Sequence, residues 1–343
     1  MTHHGSASLA TGRRMPFVFE RSVAPPGDDP TRIKRFVEQN LDQITARLVE
    51  HGAILFRDLG IDQAEAFGAF VDALGVENLD YVYRSTPRTS KGRGVYTATE
   101  YPSAREIPMH NENSYQRIWP RKLAFCCAKA ALSGGATPLA DMIEVRNRID
   151  PAIFEKFKRL GVRYDRVFHG HIDLPWQDVF QTHDKNEVAR FCEANDITHA
   201  WLEDDVLKTS QVCPGVIRHP TRHEDFLFNQ AHLFHPSAMG EQTLQYMLDA
   251  FGPELLPRNA FYGNGEAIES ETLAALRGAY GDAAVDHEWQ EGDVVLIDNV
   301  QVAHGRRSFT GDRLILTALL DPNTVPAAHA ADTDEKVAYG YAS

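Results

Sequence analysis

DVVLIDNVQVAHGRRSFTGDRLILTALL, residues 293–320, is the stretch that decides the fold. Its two apolar runs, 293–299 and 313–320, are dense in Val, Ile and Leu, and they predict two buried β-strands. The residues between these runs are mostly polar and predict a short loop. His304 lies in that connection, just beyond the first strand. A polar, chemically versatile side chain at the end of a buried strand is in a suitable place for a functional site.

The rest of the chain predicts a helical region first and many strands after it. The predicted helices, some of them short, lie at 30–50, 61–75, within 142–161, at 185–195 and within 237–256. The predicted strands are 53–59, 122–131 and 161–170, the edge that follows the turn at 133–141, and a hairpin over 215–231. Residues 76–109 predict a long, turn-rich loop with short strands. This order favours an α+β protein built on a β-barrel or a β-sandwich.

The length suits one large β-rich domain with insertions. We expect a disordered leader at 1–17, a single domain at 18–330 with a helical insertion at about 237–290, and a flexible tail at 331–343.

Composition and charge argue against several classes of protein. The 343 residues are 43% hydrophobic and 24% charged, which is ordinary for a globular chain. The net charge is −13 and no Lys/Arg cluster occurs, so a nucleic-acid partner is not expected. The sequence has no 18-residue apolar run and no apolar signal core, so neither a membrane span nor secretion is expected. Four cysteines without CxxC spacing favour a reducing cytoplasm over a disulfide framework or structural zinc.

His110 and Glu112, one residue apart, form the central chemical motif with His304. Two imidazoles and one carboxylate bind a borderline metal such as Fe(II) on one face and leave coordination positions open. On a strand, residues i and i+2 point to the same side, so His110 and Glu112 would face one interior together. The third ligand must come from a distant strand, as His304 does. The H-x-E pair alone is a weak signal, since it also occurs among ordinary core and surface residues.

Arg313 and Thr137 strengthen this hypothesis. Arg313 follows His304 by nine positions, opens the next predicted strand and is the last arginine of the chain. Its planar fork matches the far carboxylate of a 2-keto acid that chelates iron. Arg306 and Arg307 are the local competitors, although they fit better as solvated loop charges. In GGAT, two glycines permit a tight turn, and Thr137 then offers a hydroxyl to the same carboxylate.

Four motifs together resemble the taurine dioxygenase/clavaminate synthase superfamily of Fe(II)- and 2-oxoglutarate-dependent oxygenases. They are HNENSY (110–115), GGATPLAD (134–141), FLFNQAHLFH (226–235) and DNVQVAHGRRSFTGDR (298–313). The closer resemblance is to the syringomycin-type aspartyl β-hydroxylases of nonribosomal peptide pathways. The resemblance spans roughly 50–322. It implies a double-stranded β-helix, or jelly roll, flanked by helices.

The same resemblance implies roles for five residues. His110, Glu112 and His304 match the Fe(II) ligands, while Thr137 and Arg313 match the residues that bind the co-substrate 2-oxoglutarate; O2 is the oxidant. Halogenases of the superfamily have a small residue in place of the carboxylate ligand, so Glu112 points to oxygenation.

Further residues are candidates for contacting a substrate, although each could equally make a structural hydrogen bond. These weaker candidates are Arg84, Arg88, Asn113, Ser114, Tyr115, Arg117, Asn229 and His232. The expected partner is a small molecule, either a free amino acid, an amino-acid derivative or a residue tethered to a carrier protein. The sequence leaves the substrate and the oligomeric state open.

Three alternatives remain at this point. The same scaffold could carry out desaturation, epoxidation or cyclisation instead of hydroxylation. A non-catalytic, metal-binding jelly-roll protein of cupin type would need no 2-oxoglutarate, and it would leave Arg313 and Thr137 without a role. A zinc hydrolase also uses two histidines and a carboxylate, but it does not need the downstream arginine.

Overall fold

The computed structural model describes residues 7–8, 14–19, 28–57, 59–79, 83, 89–92, 94–98, 101–170 and 172–324. None of the helices in these ranges is both long enough and apolar enough to cross a membrane.

Helices lie mainly at the start of the chain and between its central strands. The α-helices are α1 (Pro30–His51), α2 (Ala64–Ala73), α3 (Met142–Arg146), α4 (Pro151–Leu160), α5 (Trp176–Phe180), α6 (Lys185–Ala194), α7 (Ala231–Phe234), α8 (Glu241–Phe251) and α9 (Ser270–Ala283). Short 3-10 turns occupy Glu203–Asp205, Pro236–Met239 and Pro253–Leu255.

Strands run through the whole described chain. They are β1 (Ala7–Ser8), β2 (Arg14–Met15), β3 (Phe17–Val18), β4 (Ala53–Phe56), β5 (Ser90–Gly92), β6 (Val95–Thr97), β7 (Ile107–His110), β8 (Ile118–Lys129), β9 (Ser133–Gly134), β10 (Thr137–Asp141), β11 (Val162–Phe168), β12 (Thr198–Trp201), β13 (Leu207–Cys213), β14 (Val216–Arg218), β15 (Asp225–Leu227), β16 (Arg258–Tyr262), β17 (Ala284–His287), β18 (Val294–Asp298), β19 (Val302–Arg306), β20 (Phe309–Thr310) and β21 (Leu314–Thr324). The mixture of helices and strands confirms the α+β class.

Two sheets carry the residues of interest. The larger has the order β3-β4-β18-β8-β21-β6-β5, and the smaller has the order β17-β10-β19-β7. A buried cluster that includes Leu123 and Val295 of the larger sheet and Leu139 and Val302 of the smaller one joins the two. The sheets therefore pack against each other through this cluster.

Strand alternation explains why β18 is apolar from Val294 to Ile297. Val295 and Ile297 join the cluster between the sheets, whereas Val294 and Leu296 pack on the opposite face in the cluster that holds α1 and α2. A strand that is covered on both faces needs apolar residues at every position. Each fully buried Val, Leu or Ile contributes about 1.5–3 kcal/mol of transfer free energy, so this strand is a major source of stability.

Helix α1 begins and ends as its sequence predicts. Asp29 caps its N-terminus by accepting hydrogen bonds from the backbone N–H groups of Thr31 and Arg32, and Pro30 occupies the first turn. Gly52 ends it with a φ of 76°, a conformation in which a side chain would be strained. Its buried residues, such as Ile33 and Leu48, face the larger sheet.

Several predicted elements are confirmed, among them α2, α6, β8, β11, β18 and the β14–β15 hairpin. Three predictions need correction. The supposed loop between 299 and 313 contains β19 and β20. The helical region 142–161 is divided in two before Pro151, because the residue that precedes a proline disfavours the helical conformation. The predicted strand through 228–231 ends at Leu227, and α7 begins at Ala231.

The 237–290 segment contains the expected helices α8 and α9. It also contains strand β16, which pairs with β11, and strand β17, which pairs with β10. The leader and tail fall mostly outside the described residues.

Candidate active site

His110 and His304 lie side by side on neighbouring strands of the smaller sheet. They are direct partners in the antiparallel β7–β19 ladder, and their ring centroids are 4.5 Å apart. His304 is therefore a mid-strand residue rather than a residue in a loop. On its other side β19 pairs with β10, which places Leu139 opposite His304. The backbone hydrogen bonds of the ladder thus fix the positions from which the two imidazoles extend.

A local irregularity in β7 sets the orientation of His110. Two residues separate Ile107 from His110 on β7, whereas one residue separates their register partners, Arg306 and His304, on β19. The extra residue in β7 forms a β-bulge. The His110 Nδ1 lies 2.8 Å from the carbonyl oxygen of Pro108. Because a carbonyl only accepts, this contact places the proton on Nδ1 and leaves the Nε2 lone pair available to a metal.

Gly305 permits the close approach of β7 and β19 beside His304. A Cβ atom at this position would lie 2.6 Å from the carbonyl oxygen of Ile107, which is too close for any side chain. The glycine therefore keeps the two histidine-bearing strands together.

Glu112 reaches the two histidines from a turn. We expected strand alternation to align His110 with Glu112, but β7 ends at His110 and a turn begins at Glu112. The Glu112 Oε2 atom nevertheless lies 3.6 Å from Nε2 of His110 and 3.6 Å from Nε2 of His304. One potential ligand atom from each residue lies within 4.8 Å of the other two.

Asn299 holds the backbone on which Glu112 sits. Its side-chain amide donates to the carbonyl oxygens of Glu112 at 2.9 Å and Pro120 at 2.8 Å, and its Oδ1 accepts from the Glu112 N–H at 2.7 Å. The Nδ2 group of Asn111 in turn donates a hydrogen bond to the Asn299 carbonyl oxygen at 2.7 Å. Asn299 follows β18 directly, so the turn after that strand is fastened to the His-Asn-Glu segment.

A cleft opens beside the two histidines, and the space within it, counted together with the open solvent at its entrance, is about 440 Å³. The cleft is lined by Ala98, Ile107, His110, Phe125, Thr137, His304, Gly305, Arg306, Arg313 and Ile315. Its apolar lining is interrupted by two imidazoles, one hydroxyl and two guanidinium groups.

Arg313 is a half-buried cation in this cleft. Its Nε donates to the carbonyl oxygen of Gly135 at 3.2 Å, and its guanidinium lies over the Phe309 ring. Within the described residues no carboxylate forms an ion pair with it. Burial, together with the nearby positive charge of Arg306, lowers the pKa of Arg313 to about 10, so the side chain stays cationic at neutral pH.

The two competing arginines have other partners. Arg307 binds Asp286 at 2.9 Å and Glu106 at 3.3 Å at the protein surface. Arg306 lines the cleft, but its guanidinium donates to the carbonyl oxygens of Tyr101, Pro102 and Arg105. Arg306 is buried, which corrects its interpretation as a solvated loop charge. It fastens residues 101–105 beside the cleft.

Thr137, on β10, is buried and also lines the cleft. Its Oγ1 accepts a hydrogen bond from the indole Nε1–H of Trp289 at 2.9 Å. The hydroxyl hydrogen of Thr137 is therefore directed away from Trp289.

The residues that follow Glu112 are buried in a compact turn. Asn113 has a φ of 57°, and the Ser114 hydroxyl donates to the carbonyl oxygen of Asn111. Tyr115 stacks on Phe234 and donates to the carbonyl oxygen of Tyr83. None of the three lines the cleft described above, so substrate contact by them stays a prediction.

The other substrate candidates make structural contacts. Arg117 pairs with Asp196, and Asn229 donates to the carbonyl oxygen of Gly215. His232 lies on helix α7, where its ring stacks on Tyr280 and its Nε2 contacts the carbonyl oxygen of Met109. Burial lowers the pKa of His232 to about 4, so it is neutral at physiological pH.

Arg84 and Arg88 lie outside the described residues. Substrate contact by them also stays a prediction.

The family model for taurine catabolism dioxygenase TauD, TfdA family, matches residues 14–319. The chain belongs to the TauD/TfdA family. The resemblance inferred from the four motifs is thereby confirmed. This TauD/TfdA protein is an Fe(II)- and 2-oxoglutarate-dependent oxygenase.

Two curated relatives support the family assignment. The dapdiamide synthesis protein DdaC of Enterobacter agglomerans is 43% identical over 287 residues, which cover 84% of this chain and 86% of that protein. A clavaminate synthase-like protein of Arabidopsis thaliana is 31% identical over 284 residues, which cover 79% of this chain and 82% of that protein.

A solved structure supports the fold of this TauD/TfdA protein. An asparagine oxygenase in complex with Fe(II), hydroxyasparagine and succinate superposes with a TM-score of 0.55 at 13% identity, over 89% of this chain and 93% of that one. At this identity the similarity concerns the fold alone.

Sequence reasoning missed three residues that shape the site of this TauD/TfdA protein, namely Asn299, Trp289 and Phe125. Asn299 had a weak signal, since a polar residue directly after a buried strand needs a hydrogen-bond partner where it is itself buried. Trp289 and Phe125 had none, because an aromatic residue near a strand is ordinarily part of the core.

Proposed function

We propose that His110, Glu112 and His304 hold the Fe(II) ion. The observation that carries this proposal is the convergence of two imidazoles and one carboxylate beside a cleft that is also lined by Arg313 and Thr137. Nitrogen and oxygen donors lie about 2.0–2.2 Å from such metals, so adjacent donors are roughly 3 Å apart. The two 3.6 Å separations to Glu112 are slightly wider, and small side-chain rotations close the difference. The donor set fits Fe(II) with positions left open.

Arg313 and Thr137 bind the far carboxylate of 2-oxoglutarate in this proposal. Arg313 is cationic, is half-buried and has no carboxylate partner among the described residues. A charge that is partly removed from water is costly unless an anion accompanies it. The guanidinium offers parallel donors and the Thr137 hydroxyl offers a third. These groups would hold the co-substrate by the end that is remote from the metal.

The protein's own part in the reaction is to position groups and exclude water. When bound, Fe(II), 2-oxoglutarate and O2 supply the oxidising chemistry, with succinate and CO2 as products. The β7–β19 ladder holds the backbone of His110 beside that of His304, and the Pro108 carbonyl keeps the His110 lone pair directed at the metal position. Phe125, Ile107 and Ile315 give the cleft apolar walls. The cleft therefore orients its contents in a region of low water content.

The reaction we propose is hydroxylation of an unactivated C–H bond of an amino acid or a small amino-acid derivative, free or tethered to a carrier protein, in secondary metabolism. The presence of Glu112 supports oxygenation, and the similarity to a dapdiamide synthesis protein supports a biosynthetic role. Desaturation, epoxidation and cyclisation use the same site and are the alternative outcomes.

We further propose that the two facing sheets form a double-stranded β-helix core within a single oxygenase domain at about 18–330. The support is the face-to-face packing of the two sheets and their antiparallel order around the histidines.

The decisive experiment is anaerobic reconstitution with Fe(II) and 2-oxoglutarate, followed by admission of O2 and a substrate screen read by succinate release. Amino acids and their carrier-bound thioesters form the two arms of the screen. A product that gains one oxygen atom supports hydroxylation, whereas loss of two hydrogens indicates desaturation. Metal binding without any succinate, under every condition, would instead favour a non-catalytic metal-binding protein.

A further inference from the structure

We propose that Trp289 is a positioning residue that directs the hydroxyl hydrogen of Thr137 toward the far carboxylate of the co-substrate, and thereby favours a dicarboxylate over a shorter keto acid. This inference rests on the proposed function, because it assumes that 2-oxoglutarate occupies the cleft beside Thr137 and Arg313.

The argument begins with the direction of one hydrogen bond. The indole Nε1–H of Trp289 is a donor only, so Thr137 Oγ1 must be the acceptor in their 2.9 Å contact. A hydroxyl that accepts at its oxygen can still donate its own hydrogen in another direction. Since Thr137 lines the cleft and Trp289 does not, the remaining direction is toward the cleft.

Without Trp289, the hydroxyl of Thr137 would be free to rotate. It could then turn its hydrogen away from the cleft and present a lone pair to it. An oxygen lone pair facing a carboxylate is repulsive, whereas an O–H group donating to a carboxylate makes a strong, charge-assisted bond. Trp289 therefore keeps the Thr137 hydroxyl oriented as a donor toward the cleft, which is the orientation that an anion requires.

The surroundings of Trp289 hold its ring in place. His287 is the register partner of Thr137 in the β10–β17 ladder, and its ring packs edge-to-face on Trp289 with centroids 4.6 Å apart. His287 is fully buried, and neither ring nitrogen has a hydrogen-bond partner among the described residues. It therefore acts as a neutral aromatic wall behind Trp289, and the chain from His287 through Trp289 to Thr137 ends at the cleft.

The test compares the binding of two keto acids by calorimetry under anaerobic conditions, with Mn(II) in place of Fe(II) so that no turnover occurs. Trp289→Phe keeps an aromatic ring against His287 but removes the N–H donor. We expect this variant to bind 2-oxoglutarate about 2- to 10-fold more weakly, with pyruvate and Mn(II) binding unchanged. Trp176→Phe is the matched control, because the Trp176 indole donates to Asp205 and does not line the cleft.

A double-mutant cycle separates a specific effect from a structural one. In a Thr137→Val background the hydroxyl is absent, so Trp289→Phe should cause no additional loss of 2-oxoglutarate affinity. In a Thr137→Ser background the hydroxyl is retained, so the loss should reappear. Additive losses in the Val background, or equal losses for pyruvate and 2-oxoglutarate, would overturn the role of Trp289.

The same titrations test the proposed function separately. If the wild-type protein binds pyruvate as tightly as 2-oxoglutarate, the assignment of Thr137 and Arg313 fails, and the role of Trp289 fails with it. If the wild-type protein prefers 2-oxoglutarate and Trp289→Phe leaves that preference intact, only the inference about Trp289 fails.

Discussion

At the residue scale, the position of Arg313 depends on its close approach to Gly135. The aliphatic part of the side chain passes close to Gly135, where an added Cβ would lie 3.1 Å from Arg313 Cδ. Gly135 has a φ of 77°, so both its conformation and its lack of a side chain suit this approach. The turn in GGAT therefore positions Arg313 as well as Thr137.

Replacing Arg313 by Lys keeps the charge and removes the planar fork. Loss of one charge-assisted hydrogen bond costs about 1.5–3 kcal/mol, so we expect the affinity for 2-oxoglutarate to fall by about 10- to 150-fold. Metal binding should be nearly unchanged. The measurement is an anaerobic titration followed by the visible charge-transfer band that a keto acid gives on bound Fe(II).

Pyruvate is the internal control for Arg313→Lys, because it has no far carboxylate and should lose less affinity. Arg307→Lys is the matched control variant, since Arg307 pairs with Asp286 and Glu106 outside the cleft. An equal loss for both keto acids in Arg313→Lys would show that Arg313 does not bind that carboxylate.

Glu112→Ala tests the proposed carboxylate ligand. We expect hydroxylation to be lost, because the metal would lose one of its three protein ligands. Halide could enter the vacated position, although productive chlorination is not expected without a pocket shaped for it. Near-wild-type hydroxylation by this variant, measured as oxygenated product, would remove Glu112 from the ligand set.

At the element scale, strand β19 shows where sequence patterns fail. Its last three residues, His304, Gly305 and Arg306, are buried but are not hydrophobic side chains, so the sequence pattern predicts a polar loop. The interior they occupy is the cleft itself, where buried polar groups serve chemistry rather than packing. The five residues proposed for the site could be named from sequence because the motifs that contain them resemble those of the family. The strand that holds His304 could not be predicted from sequence, because its hydrophobic pattern is interrupted.

The clamp formed by Asn299 joins two elements that are distant in sequence. Asn299→Ala would leave the backbone groups of Glu112 and Pro120 without their buried partners, at about 1–3 kcal/mol for each. We expect lower stability and a 10- to 100-fold loss of metal affinity, which is typical when groups that orient ligands are removed. Thermal unfolding and a metal titration give the two readouts.

Gln211→Ala is a suitable control for Asn299→Ala. Gln211 is also buried and lies on β13, in the separate sheet that contains β11 and β13. Its amide donates to the carbonyl oxygen of Asn195, which follows α6. It should lower stability without changing metal affinity. If both variants bind metal equally well, the clamp has no role in positioning Glu112.

At the scale of the whole molecule, buried neutral histidines make stability depend on pH. Burial lowers the pKa of His232 to about 4 and, with a contribution from Arg57, that of His287 to about 3. In the unfolded chain both titrate near 6.5, so the unfolded state binds more protons below that pH. Their contribution to stability is therefore complete above about pH 6.5 and is lost as the pH falls toward 4 and 3.

We expect the free energy of unfolding of the metal-free protein to fall below pH 6 by on the order of 1 kcal/mol per pH unit for each of these histidines. Urea titrations at several pH values measure this slope. His287→Phe should reduce the slope, whereas His183→Gln, at an exposed position, should not. An unchanged slope in His287→Phe would exclude His287 as a source of acid sensitivity.

The grip of Asn299 on Glu112 has an evolutionary consequence. The side-chain hydrogen bonds of Asn299 go to the backbone of residues 112 and 120, so none depends on which side chain residue 112 carries. Selection could therefore exchange the side chain at this position while the two histidine-bearing strands and the turn keep their shape. In such a scaffold a single mutation at position 112 can change the reaction during evolution while the hydrogen bonds that fold this region are kept.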